Sequence, residues 1–266
     1  MNLKESEIKR IFDEWNGYIE NQNDIEYLLP IIMEYYNDEF FWSFSFDTPF
    51  IVKLMKLGFL PMSLRVKDEN GKPVHIFTPK LHLARCTLSA SQLHIGKTPR
   101  RRSRGAILTI NNNFTYIMKQ CIGTHGDDWI TAPLQDFFIE LNNPKNHVHT
   151  LSIELWRDGT ITAGEIGYMW GDIYTSLSGF TSRNGDGMVQ MLSLGAVLFK
   201  SGIPMWDLGM PVDYKYTLGA KDISRKQFNN LVKEHATKPT TFTENHQNAT
   251  YDCRNVLDSY RNNVLP

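Results

Sequence analysis

The chain has 266 residues, 41% of them hydrophobic, 12% aromatic and 21% charged, and a net charge of −1. That composition can bury a real core in one large or two small domains, and it excludes a disordered chain. Near-neutral charge excludes a surface coated for nucleic acid, and no apolar run approaches the roughly 20 residues that cross a bilayer.

In chain order, Ile8, Ile11, Phe12, Trp15, Tyr18 and Ile19 recur at helical spacing, predicting an amphipathic helix over 5–22. The start, "MNLKESEIKRIF", is charged and lacks the apolar core of a signal peptide. Apolar helix pattern resumes over about 25–37. "DTPFIVKLMKLGFLP" reads as a short helix capped by Asp47 or Thr48, with Pro49 in its first turn and Gly58 at its end. "DENGKP" is a hairpin turn between extended runs. Lys97, Arg100, Arg101, Arg102 and Arg104 then pack five cations into eight residues without an acid. Such a run either neutralises phosphates or is a solvated loop. The composition shift there suggests a small domain over 1–99 and a larger one over 100–235.

In the larger domain "AILTI" reads as a strand and "NFTYIMKQCI" and "APLQDFFIELN" as helices. "LSIELWR", "TITAGEIGYMW" and "IYTSLSGFTS" are strands, joined at Asp158-Gly159 and Gly171-Asp172. "GMVQMLSLGAVLFKSG" has a helical stripe stopped by Gly202, and "IPMWDLGM" is a short buried strand. The result is an α+β fold with a mixed central sheet. Residues 236–266, rich in Thr, Asn and charge, read as a loosely ordered tail. Cys86, Cys121 and Cys253 are far apart, which fits reduced thiols in a cytoplasmic protein, so the Asn248-Ala249-Thr250 sequon is a chance match.

No nucleophile elbow, phosphate loop or zinc spacing is present; His147 and His149 lack ligand partners at the right separation. "RNGDG" (Arg183–Gly187) puts a glycine turn before a helix, either an anion site or a plain turn. Two carboxylates stand out. Asp207 lies in an apolar strand, where burial is unfavourable unless the group is paired or functional, and Glu165 has similar surroundings. On neighbouring central strands they would shape a site for an amine or a proton transfer.

From about Trp42 to Phe228 the sequence resembles the leucyl/phenylalanyl-tRNA–protein transferase family. "DTPFIVKLMKLGFLP" is similar to a family segment through Asp47, Pro49, Leu54, Gly58 and Pro61, and "FTPKLHLARCTLSASQLHI" to another through Pro79, Arg85, Leu88, Leu93, His94 and Ile95. Trp129-Ile130-Thr131 and Ser152–Trp156 repeat two short motifs. "GDIYTSLSGFTS" and "WDLGMPVDYKYTLGAKDISR" align through Gly171, Ser178, Phe180, Asp207, Leu218, Gly219, Ala220, Ile223 and Arg225.

The resemblance implies an acetyltransferase-like (GNAT) domain after a small N-terminal domain. It implies transfer of Leu or Phe from aminoacyl-tRNA to the N-terminal amine of a protein, by a monomer needing no cofactor or metal. It further implies Asp207 as the catalytic aspartate, Ser178, Phe180, Leu177, Gly209 and Trp129 around the substrates, and the basic run along tRNA. The departures are specific. Leu177 stands where the family has glutamate, Gly209 where it has glutamine, and Ile76-Phe77 where it has two tryptophans. Glu165 replaces an apolar residue of the amino-acid pocket, and the expectation is that it takes over for the lost glutamate. Two other readings remain open at this point: a GNAT-like acyltransferase with a thioester donor, and an inactive tRNA- or peptide-binding homologue. A thioester donor would need a pyrophosphate loop that "RNGDG" misses by one residue.

Overall fold

The computed structural model describes residues 16–264. The chain forms two compact units, each discontinuous in sequence. Among the described residues, one holds 16–84 with Asp127–Phe137 and Ser224–Lys233; the other holds Arg85–Gly126, Phe138–Ile223 and 234–264. The boundary expected near residue 100 therefore moves to 84/85. Cys86 and Leu88 before the basic run share one core with Ala106, Leu108 and Ile110 after it, so the composition shift marks a surface and not a change of core.

In the first unit, helix α1 (Gln22–Tyr35) is followed by α2 (Thr48–Lys56). Asp47 caps α2 by accepting from the Phe50 N–H at 3.3 Å, and Gly58 leaves it at φ +90°. Strands β1 (Ser63–Lys67) and β2 (Pro73–Phe77) pair antiparallel. Asp68 shapes their turn, accepting from the backbone N–H groups of Asn70 and Lys72 at 2.9 and 2.8 Å. The buried Arg225 guanidinium donates to the carbonyls of Tyr36, Asp38, Leu81 and His82 at 2.5–3.3 Å, tying three segments together. Of the helix expected over 5–22, residues 5–15 lie outside the described residues. Tyr18 is extended and bridges Trp42, so the helix does not reach Ile19.

The chain continues through β3 (Ala84–Leu88), α3 (Lys97–Arg102), β4 (Ile107–Ile110), α4 (Phe114–His125), α5 (Ala132–Glu140), β5 (Val148–Arg157), β6 (Thr160–Trp170) and β7 (Ile173–Thr181). There follow α6 (Asp186–Lys200), β8 (Met205–Gly209), α7 (Asp213–Tyr216), β9 (Lys221–Ser224), α8 (Arg225–His235), α9 (Phe242–His246), β10 (Thr250–Asp252) and α10 (Cys253–Val264). Of these, α5 and α8 fall largely in the first unit, and the rest build the second. An eight-stranded sheet has the order β10-β4-β5-β6-β7-β8-β3-β9. β7 and β8 run parallel, while β10–β4, β4–β5, β5–β6, β6–β7 and β8–β3 are antiparallel, so the fold is α+β with a mixed sheet.

Local chemistry explains these connections. Asp158 and Gly159, at φ +49° and +77°, give the two-residue turn whose twist matches a tight hairpin. The parallel pair needs a crossover, and α6, buried from Val189 to Phe199, supplies it. Glu154 of β5, fully buried, accepts from the N–H groups of Asn112 and Asn113 at 3.2 and 3.0 Å, and from Thr109 and Ser152 hydroxyls. It satisfies the N–H groups ahead of α4 from a neighbouring strand.

The expected tail is ordered. β10 pairs with β4, and α10 buries Cys253, Leu257 and Tyr260, a one-face stripe hidden among polar residues. Among the described residues no helix is long and apolar enough to cross a membrane.

Candidate active site

β7 pairs with β8 only from Ile173 to Thr175, opposite Met205 to Asp207; beyond Thr175, β7 keeps its pairing with β6 alone. The sheet therefore opens between β7 and β8 at Asp207. Here β7 carries an extra residue: Ser176 pairs with Gly167 and Ser178 with Ile166, leaving Leu177 without a partner in the ladder. Such a bulge re-aims side chains. Leu177 and Ser178 are half-buried, and Phe180 is buried over Gly164, where an added Cβ would meet its ring at 3.2 Å.

Asp207 is wholly buried and fully engaged. Oδ1 accepts from Arg85 Nε at 2.8 Å and the Gly209 N–H at 2.9 Å; Oδ2 accepts from Arg85 Nη2 at 2.7 Å and Thr175 Oγ1 at 3.0 Å. Thr175 in turn accepts from Trp170 Nε1 at 2.9 Å. Gly209, at φ +74°, has the backbone freedom to turn its N–H back onto the carboxylate two residues before it. The pairing with Arg85 is bidentate, the strong form of this contact.

Glu165 is also buried but lies on the opposite face of the sheet. Tyr174 and Ser176 flank Thr175 on β7 and so point away from Asp207. Both hydroxyls donate to Glu165 Oε1 at 2.7 Å, and Gln190 Nε2 of α6 donates to Oε2 at 3.2 Å. Trp206 Nε1 extends this network by donating to Ser176 Oγ at 2.8 Å. Burial raises the proton affinity of Glu165, opposed by those three hydrogen bonds and by the charge of Lys215. The expectation that Glu165 and Asp207 sit on neighbouring strands is corrected: β7 stands between them, because the α6 crossover places β8 beyond it.

The other expected residues divide. Trp129 belongs to the first unit, where its carbonyl accepts from the Ser63 N–H at 2.9 Å. The basic run forms the short helix α3 and not a loop. Lys97, Arg101, Arg102 and Arg104 are exposed, but Arg100 is half-buried in an ion pair with Asp258, which Arg254 also contacts at 2.7 Å. Arg100 is thus ion-paired within the chain, sharing Asp258 with Arg254. At "RNGDG" the first turn of α6 carries Asp186, buried against Arg157 and Thr162 at 3.0 and 2.6 Å. An internal carboxylate already meets that helix end, which argues against an external anion.

Several members of the network have no role that the sequence alone reveals: Arg85, Thr175, Tyr174, Ser176, Gln190 and Lys215. A signal existed for Arg85, a lone cation in the apolar run "LARCTL" that matches the lone acid in "MWDLGM". Lys215, only 7% exposed, donates from Nζ to the carbonyls of Leu208 and Met210 at 2.6 and 2.7 Å. Tyr214, beside it, is half exposed, with its phenol pushed up by burial and then by Glu165.

A family model described as leucyl/phenylalanyl-tRNA protein transferase matches residues 87–233. Relatives carrying that same name include one from Pseudomonas fluorescens, 27% identical over 180 residues, covering 66% of this chain and 77% of its own. One from Pseudomonas syringae is 26% identical over 65% of this chain and 75% of its own, and one from Saccharophagus degradans 24% over 62% and 68%. Among solved structures, the C-terminal domain (DUF2156) of a putative lysylphosphatidylglycerol synthetase from Agrobacterium fabrum matches at a TM-score of 0.35 and 11% identity. It covers 69% of this chain and 61% of its own, too slight a likeness to carry an argument.

Proposed function

The chain belongs to the leucyl/phenylalanyl-tRNA protein transferase family, and from that membership we propose that it is an acyltransferase moving Leu or Phe from aminoacyl-tRNA to the N-terminal amine of a protein. The observation that carries the site is the opening between β7 and β8, with a buried carboxylate on each face of the sheet beside it. A parallel strand pair joined by a buried helix and parting at this point also supports a GNAT-like reading of the second unit.

In the reaction the acceptor amine attacks the ester carbonyl of the aminoacyl group. A C–N bond forms, the C–O bond to the terminal ribose breaks, and the proton lost by nitrogen ends on the ribose oxygen. Asp207 has no lone pair to spare: four donors hold it, so it fixes the end of β8 and the Gly209 turn. Glu165 is held by neutral donors, with a single 3.2 Å contact at Oε2. It is the group with room to take the amine proton and pass it on. Leu177, Ser178 and Phe180 of β7 border the donor aminoacyl group, and Gly209 presents backbone from β8.

The test is a transfer assay with a mixture of charged tRNAs and peptides that begin with Lys or Arg. Leu and Phe should appear on the peptides, and Asp207→Ala should reduce transfer. Salt-sensitive tRNA binding without any transfer would instead identify an inactive homologue.

The exposed cations of α3 and its flank track tRNA phosphates. Replacing Arg101 and Arg102 by Ala should weaken tRNA binding and reduce the slope of log K against log salt by about 1 for each phosphate no longer neutralised. Arg100→Ala should change it less, because Asp258 already holds that guanidinium. An unchanged slope in the double variant would return the segment to an ordinary solvated face.

A further inference from the structure

Lys215 is a buried cation outside the roles assigned so far. Its ammonium is held by two carbonyl oxygens and, among the described residues, by no carboxylate. Taking an ammonium out of water without a counter-ion in contact is unfavourable, and such groups are retained where they act on neighbours. The two carbonyls belong to Leu208 and Met210, the residues on either side of Gly209, whose N–H completes the shell of Asp207. Lys215 thus clamps the turn that presents this N–H.

We propose that Lys215 is a positioning residue of the transfer site, which clamps the turn at Gly209 so that the Gly209 N–H is presented to Asp207. The inference rests on the reading of the opening between β7 and β8 as the transfer site. The groups acting on Lys215 come from three strands: Cys86 and Arg85 of β3, Asp207 of β8 and Glu165 of β6. Those acting on Glu165 are Tyr174 and Ser176 of β7, Gln190 of α6, Cys121 of α4, and Tyr214 and Lys215 of α7. Burial pulls the pKa of Lys215 down while Cys86, Asp207 and Glu165 hold it up.

The experiment separates clamp from charge. Lys215→Gln keeps N–H donors for the two carbonyls and loses the charge; Lys215→Met loses both. The Gly209 amide resonance is followed by NMR, alongside the pH dependence of transfer. Circular dichroism at each pH confirms that the variants are folded. In Lys215→Met the Gly209 amide should shift and transfer should fall by about tenfold or more, while Lys215→Gln should keep most of both. A Gly209 amide that shifts while transfer stays put keeps the clamp and removes the opening between β7 and β8 as the transfer site. An unmoved Gly209 amide in a folded Lys215→Met overturns the proposal and leaves Lys215 a packing residue.

Discussion

Replacing Arg85 with methionine should destabilise the protein by about 3–5 kcal/mol, among the largest effects of any single substitution here. Asp207 is wholly buried, and two of its four donors come from this one guanidinium. Methionine fills similar volume but leaves a carboxylate in the sheet with only the Thr175 hydroxyl and the Gly209 N–H. The figure is the penalty of an uncompensated buried charge, not the net worth of the pair. The double variant Arg85→Met with Asp207→Leu should therefore recover most of the loss, because replacing both partners is often close to neutral. Denaturant midpoints of the two single variants and the double one test this cycle. A single variant within about 1 kcal/mol of wild type would show that Asp207 is not sealed from water as described.

Glu165→Gln should lower the transfer rate by about 10²–10⁴-fold while leaving tRNA affinity within about twofold, because it removes proton acceptance and keeps shape. The pH dependence has a definite sign. Burial raises the carboxyl above its ordinary value of 4.5, so the neutral form is favoured in the folded chain. That stabilisation is fully present below the ordinary carboxylate range and is lost as pH rises through the folded value. Glutamine stays neutral at every pH, so the variant should gain stability on wild type as pH climbs from 5 to 8. Unfolding curves at both pH values check the sign. Transfer at the wild-type rate by Glu165→Gln would end the assignment.

The local parts of this fold are legible because their causes are local. Asp158-Gly159, the Asp47 cap and the Gly202 stop each depend on a few neighbouring residues, and each element they bound is found. The sheet order is not legible in that way. Arg85 and Asp207 are 122 residues apart, and their pairing requires β3 and β8 to be neighbours. The same gap hid the faces of the two carboxylates, since chain order places β7 and β8 without saying how α6 carries one past the other. The bulge at Leu177 depends on the register between β6 and β7, a tertiary property. In the C-terminal region, Thr, Asn and charge outnumber the apolar stripe of Cys253, Leu257 and Tyr260, so composition masks periodicity there. On the candidate site, the motif "WDLGM" draws attention to Asp207, but its shell of Arg85, Thr175 and Gly209 comes only with the packing.

The strand Thr250–Asp252 also bears on how the molecule is made. It covers the edge of β4, a strand that precedes it by about 140 residues of synthesis. Until Thr250–Asp252 leaves the ribosome, β4 presents open N–H and C=O groups along a largely apolar strand, the kind of edge that recruits other nascent chains. The second unit can complete its sheet only once Thr250–Asp252 has been made. Slow release or premature termination near residue 250 should thus yield aggregates more readily than a shortened but soluble enzyme.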